Sequence, residues 1–169
     1  IMLKVKRFFL EINTSNFNDV DIILPKDYSI KLETKKDFKL NKFFYKQIGS
    51  DHYWRDRLVW NDEEWISYVT NLNFETWVMK KGKDLVGFYE QEFHPSLNEV
   101  ELINMGILKE YRGEKLGSTI LKHSIKNAFK FKPNRVWVHT CSLDHEFALQ
   151  NYKAKGFKIF KEEEINFTI

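Results

Sequence analysis

The residues with chemistry to offer gather in the second half of the chain. Glu101 is a carboxylate set in an otherwise apolar run of Val100, Leu102, Ile103 and Met105. Partial desolvation in such a run raises a carboxylate pKa toward that of a useful general base. The plain alternative is a solvated strand-end residue, which is the expectation for Glu99 beside it. Glu90, Glu92 and His94 on the preceding run are further candidates for a base. His139 stands with Thr140, Cys141 and Asp144 and reads either as a pocket residue or as a satisfied core histidine. Cys141 has no obvious oriented base, so a nucleophilic role is not expected. His52 and His123 read as surface residues.

The stretch YRGEKLGS, residues 111–118, offers something different. An apolar run gives way there to an amphipathic one, as at a strand-to-helix turn. A helix opening near Leu116 leaves its first amides without partners and carries partial positive charge, which together favour an anion. Gly113 and Gly117 let a ligand approach the backbone closely. Arg112 and Lys115 add charge, and Ser118 adds a hydroxyl donor. Gly-rich turns also precede helices that bind nothing. This one is neither a P-loop nor a Gly-x-Gly-x-x-Gly dinucleotide turn.

A third cluster holds His52, Tyr53, Trp54, Arg55, Asp56, Arg57 and Trp60. Two indoles and two guanidiniums so close together suit a planar or carboxylate-bearing molecule. They equally suit packing of helices onto a sheet.

These groups need a scaffold, and the pattern supplies one. A short strand is expected at 8–12 and another at 28–33. Asp37 caps a helix to about residue 48, and Asn61 or Asp62 caps a second one reaching Leu72. Three extended runs follow, 75–81, 84–93 and 99–108, with hairpin spacing. Leu116, Ile120, Leu121, Ile125, Ala128 and Phe129 form one apolar face of a helix to about residue 131. Residues 135–141 read as a buried strand. Asp144 caps a short helix that stops at Gly156, and 157–167 closes the chain as a strand. The order implies an α/β (α+β) mixed sheet with helices on both faces.

Bulk properties narrow the class. A length of 169 residues suggests one domain, 1–169. The net charge of +3 permits an anionic ligand, but there is no basic block of a nucleic-acid binder. The lone cysteine excludes an internal disulfide and fits a reducing compartment, so a cytoplasmic location is expected. No Cys/His spacing of a zinc site occurs, and no metal is expected. No run reaches the length of a membrane span, and the apolar piece at the N-terminus lacks a cleavage site.

The segment INMGILKEYRGEKLGSTILKHSI resembles the coenzyme-binding motif of the GNAT superfamily of N-acetyltransferases, Arg/Gln-x-x-Gly-x-Gly/Ala after a strand and opening a helix. Arg112, Leu116 and Gly117 fall in register, and Lys115 replaces the first motif glycine. DHEFALQNYKAKGF resembles the second signature of the family, with His145 in place of the usual Asn. The sequence around it is similar to a bacterial branch in which Leu-Asp-His is common. The likeness runs from about Tyr28 to Phe167.

The resemblance implies a GNAT fold of about six or seven strands and four helices, and an N-acetyltransferase that moves acetyl from acetyl-CoA directly to a primary amine. The backbone of Met105, Gly106, Ile107 and Leu108 would face the acetyl group and pantetheine. The amides of Arg112, Gly113, Glu114, Lys115, Leu116, Gly117 and Ser118 would take the pyrophosphate, and His145 and Ala148 would also touch the coenzyme. Tyr152 falls on the family tyrosine that protonates the thiolate, and its alternative is packing. Glu101, six residues before Ile107, matches the catalytic Glu of some members. Trp54, Arg55, Trp60, Glu90 and His139 would shape the site of a small-molecule or peptide amine. A homodimer is plausible, with no nucleic-acid or membrane partner. The alternative is a catalytically silent acyl-CoA sensor.

Overall fold

The computed structural model describes residues 1–145 and 147–168. Seven strands form one sheet: β1 (Met2–Ile12), β2 (Tyr28–Leu32), β3 (Phe74–Lys81), β4 (Asp84–His94), β5 (Glu99–Ile107), β6 (Arg135–Cys141) and β7 (Lys158–Thr168). Their order across the sheet is β2-β3-β4-β5-β6-β1-β7. β5 and β6 run parallel; every other neighbouring pair is antiparallel. The four helices are α1 (Phe38–Gly49), α2 (Asp62–Val69), α3 (Leu116–Phe129) and α4 (Ala148–Ala154).

The helix starts follow from their caps. The Asp37 side chain accepts from the Lys39 amide at 3.0 Å, and the Asn61 side chain accepts from the Glu64 amide at 2.9 Å. α2 stops at Val69, earlier than expected, and Leu72 beyond it is 90% exposed. α4 is stopped by Gly156 at φ +104, a left-handed conformation that costs glycine nothing.

Helices cover both faces. On one side Phe44 and Ile48 of α1 pack on Val78, Phe88 and Leu108. On the other, the apolar stripe of α3 meets the sheet in two patches. Leu116 and Ile120 join Met79, Val86 and Tyr89. Leu121, Ile125 and Ala128 join Leu10, Ile12, Val100, Leu102, Val136 and Val138. Phe129 is only partly buried there.

The first strand departs from expectation. It runs from Met2 rather than Phe8 and lies between β6 and β7, paired with both. Lysines at 4 and 6 and the unbroken Phe8-Phe9-Leu10 hide its alternation, yet Val5, Leu10 and Ile12 are buried.

Candidate active site

β5 and β6 pair at only three positions, Glu99 with Arg135, Val100 with Val136 and Glu101 with Trp137. Beyond Glu101 they part, and a notch opens in the sheet. A bulge accompanies the parting: two β5 residues, Ile103 and Asn104, stand opposite the single β4 residue Glu90. Past the bulge, the Leu108 amide donates to the Val86 carbonyl of β4 at 2.8 Å. Amides alternate edges along a strand, so Gly106 also faces β4, while Met105 and Ile107 face the notch. Of the four strand positions 105–108, Met105 and Ile107 therefore present their amides to the notch and Gly106 and Leu108 to β4. Gly106 has a separate reason to be glycine, because a Cβ there would lie 2.7 Å from Ile48 of α1.

At the mouth of the notch a 3₁₀ turn, Lys109–Tyr111, leads into the loop before α3. Gly113 has φ +89. Lys115 occupies the N-cap position in left-handed conformation, φ 60 and ψ 18, and makes no side-chain cap. The first-turn amides of α3 thus carry no side-chain acceptor among the described residues. Lys115, Gly113 and Glu114 are exposed, Ser118 is half-buried, and Leu116 is buried in the core. Glu114 accepts a hydrogen bond from the Tyr28 hydroxyl at 3.3 Å.

The Arg112 side chain is engaged within the fold. Nε donates to the Ile107 carbonyl at 3.0 Å and Nη1 to Asp51 Oδ2 at 3.0 Å. The guanidinium braces the turn against β5 and the end of α1, and its hydrogen bond holds the Asp51 carboxyl below the usual range.

Tyr152 lies on α4 and packs against the cluster containing Leu10, Val100 and Val138. Its ring is 5.7 Å from that of Phe157. Burial first, and then the charge of Asp144, pushes its phenol well above the ordinary range. Ala148, at the start of the same helix, is half-buried, and its amide bonds the carbonyl of exposed His145 at 2.9 Å. The His145 ring stands 5.8 Å from that of His52. Asp144 does not cap α4. It closes the end of β6, accepting from Thr140 Oγ1 at 2.6 Å and the Cys141 amide at 3.1 Å, and it also takes the Trp54 indole at 3.2 Å.

On the α1–α2 face, Glu101 meets His94, whose Nε2 lies 3.0 Å from Glu101 Oε1. Burial raises the pKa of Glu101, and the His94 hydrogen bond works against that rise. Glu92 stands opposite Glu101 in the β4–β5 register. Glu92, His94 and Glu101 bring one ligand atom each within 4.8 Å of one another, the reach needed to hold a cation. Glu99, expected in solvent, is instead paired with Arg135, which also binds Glu11.

The other acceptor candidates divide. Glu90 is wholly buried and bonded to Arg57, Asn41 and Asn104, so it is an internal counter-ion and not a wall of an open site. Trp54 packs against Tyr45 and Phe88, and Trp60 packs on Trp65 and over Arg57, so both are staples of the helices. Arg55 is exposed, and it bonds the Thr168 carbonyl at 2.6 Å. His139 is exposed beside the ring of Phe9. Burial raises the Cys141 thiol, which disfavours a thiolate.

His123 is not a surface residue. Its Nδ1 lies 2.8 Å from the Tyr89 hydroxyl, and burial lowers its pKa to about 4. His52 is also half-buried and lowered, first by burial and then by Arg112. Sequence reasoning missed this network, as it missed the role of Arg57. The one available signal was a charged residue inside the apolar run of β4, Glu90, which demands a buried partner.

The sequence profile of the acetyltransferase (GNAT) family matches residues 36–157. No curated protein matches the chain in sequence. Among solved structures, a GCN5-related N-acetyltransferase from Sphaerobacter thermophilus superposes with a TM-score of 0.70 at 11% identity, over 96% of this chain and 50% of that one. A GCN5-related N-acetyltransferase from Kribbella flavida gives 0.65 at 14%, over 98% and 58%. An aminoglycoside acetyltransferase from an uncultured soil metagenomic sample, in complex with trehalose, gives 0.62 at 11%, over 76% and 87%. The chain thus spans only half to three-fifths of the length of the first two. The chain belongs to the acetyltransferase (GNAT) family.

Proposed function

We propose that this chain, as a single domain over 1–169, is an N-acetyltransferase that moves the acetyl group of acetyl-CoA directly to a primary amine. The observation that supports this most is the notch: β5 and β6 separate immediately beyond Glu101, and the uncapped N-terminus of α3 stands at its mouth. The residues present fit the coenzyme. A Cβ built on Gly113 or Gly117 meets nothing within 4 Å, so the backbone there is open to a diphosphate. Bound acetyl-CoA supplies the thioester and a thiol leaving group.

The chain's own groups do the rest. Amides of the 113–118 loop take the diphosphate charge. The Met105 and Ile107 amides donate along the notch and stabilise charge on a carbonyl oxygen there. Glu101 Oε1 or Oε2 takes a proton from the acceptor amine, its pKa raised by burial toward the working pH. The Tyr152 hydroxyl gives a proton to the departing sulfur; its raised pKa keeps it protonated until then. The acceptor is a small-molecule or peptide amine, placed on the face that carries Glu101, His94 and His139.

The test is incubation with acetyl-CoA and a panel of monoamines, polyamines, amino sugars, amino acids and peptides. Thiol release and a product heavier by one acetyl group are the expected results. Coenzyme binding with no transfer to any amine, and no effect of Tyr152→Phe, would favour the silent sensor instead.

A further inference from the structure

Where β5 bends away from β6, the extra residue of the bulge reaches back to the residue it bulges over. Asn104 Nδ2 donates to Glu90 Oε1 at 3.1 Å, and Glu90 is the β4 residue opposite Ile103 and Asn104. Glu90 is 0% exposed. It is also gripped from two other directions. Arg57 Nη1 donates to Oε2 at 3.0 Å and Nη2 lies 3.0 Å from Oε1, while Asn41 Nδ2 donates to Oε2 at 2.7 Å. Arg57 in turn is enclosed by the rings of Tyr45, Trp60, Trp65 and Tyr68, whose centroids lie between 4.4 and 5.6 Å from its guanidinium carbon.

A carboxylate in that position cannot turn away. Doing so would leave the Arg57 charge buried without its counter-ion, which is far costlier than losing a neutral hydrogen bond. Glu90 is therefore a rigid peg whose position is set by α1, by the α1–α2 loop and by β4. A bulge, by contrast, is a local irregularity in a ladder. Losing it shifts the residues that follow by one along β4 and exchanges the edges to which their amides point. In this sheet such a slip would turn Met105 and Ile107 toward β4 and set Gly106 and Leu108 on the notch.

The geometry points to Asn104 and Glu90 as positioning residues: the buried carboxylate holds the β5 bulge in one register, and that register aims the Met105 and Ile107 amides at the notch. The functional half of this inference rests on the acyl-CoA reading of the notch; the structural half does not. The Arg57–Glu90 pair ties the loop carrying Arg57 to β4, and the Asn104 bond extends that tie to β5, the strand that lines the notch.

Asn104→Ala tests this, because it removes one bond from a half-buried side chain and leaves the Arg57–Glu90 pair intact. Asn104→Asp is the companion variant, setting a second carboxylate against Glu90. Backbone hydrogen exchange is measured on the ligand-free protein, and coenzyme A binding is measured by calorimetry. Exchange within 103–107 is expected to quicken by about tenfold with β1, β7 and α1 unchanged, and coenzyme A affinity to fall by about tenfold, further for Asn104→Asp. In turnover the loss should appear in kcat as well as in KM for acetyl-CoA, because the misaimed amides serve both the developing charge and the bound coenzyme. Unchanged exchange at 103–107, or unchanged affinity in a protein that binds coenzyme A, overturns the inference. A uniform loss of protection across the sheet overturns it too, since Asn104 would then serve stability alone. If the parent protein binds no coenzyme A while exchange at 103–107 still quickens, the peg stands and the acetyltransferase reading falls.

Discussion

The imidazole of His94 and the carboxylate of Glu101 sit 3.0 Å apart, Nε2 to Oε1, just where β5 leaves β6. Burial raises the Glu101 pKa and the His94 contact lowers it. A base is active when deprotonated, so kcat/KM should rise with pH through the raised Glu101 pKa. Glu101→Gln is expected to cost about 10²- to 10⁴-fold in kcat/KM and to remove that limb. His94→Ala takes away the lowering contact, so the limb should move to higher pH. A pH–rate profile of the three proteins checks both; an unmoved limb in Glu101→Gln would assign the base elsewhere.

Gly117 is the cleanest probe of the loop. Its Cβ direction is open and its φ is not left-handed, so Gly117→Glu should fold normally. The added carboxylate would stand in the first turn of α3, where an anion is expected. Calorimetry with coenzyme A should show affinity lost by at least about tenfold, with Tm within a few degrees of the parent.

Lys115 stands at φ 60, where the family motif has glycine. Left-handed backbone costs a residue with a Cβ about 1–2 kcal/mol, and glycine returns part of that through its freer unfolded chain. Lys115→Gly should thus raise stability by up to about 1 kcal/mol in urea unfolding. Retained coenzyme affinity in the variant would show that the exposed ammonium is not a ligand.

Tyr152→Phe keeps the ring against Phe157 and removes only the hydroxyl. An acid role predicts a kcat lower by about 10²-fold with coenzyme A affinity unchanged. Equal losses in both would make Tyr152 a packing residue.

His123 should make the fold acid-sensitive. It ionises at about 4 in the folded protein against an ordinary 6.5, because burial beside Tyr89 disfavours the charged ring. Between those values the unfolded chain binds the proton and the folded one does not, so this contribution is whole above pH 6.5 and is lost as pH falls toward 4. Urea midpoints measured across that range should fall with acid in the parent and fall less steeply in His123→Gln.

By itself the sequence determined what is local. Period-two and period-3.6 patterns placed β2 to β7 and α1 to α4 within a few residues. Asp37, Asn61 and Gly156 marked helix boundaries by chemistry that acts over one turn. The Arg112–Gly117 stretch carried the family resemblance, because its motif is a run of consecutive residues.

Tertiary structure decided everything that depends on partners far along the chain. Glu90 reads as an acid on a strand until Arg57 and Asn104 arrive from two other elements to enclose it. Arg112 reads as an added charge in a Gly-rich turn until Asp51 and the Ile107 carbonyl accept hydrogen bonds from its side chain. The N-terminal strand shows its place only when β6 and β7 close around it. A side chain's charge state and reach are set by desolvation and by the nearest opposite group, and those are properties of the folded neighbourhood, which no spacing along the chain encodes.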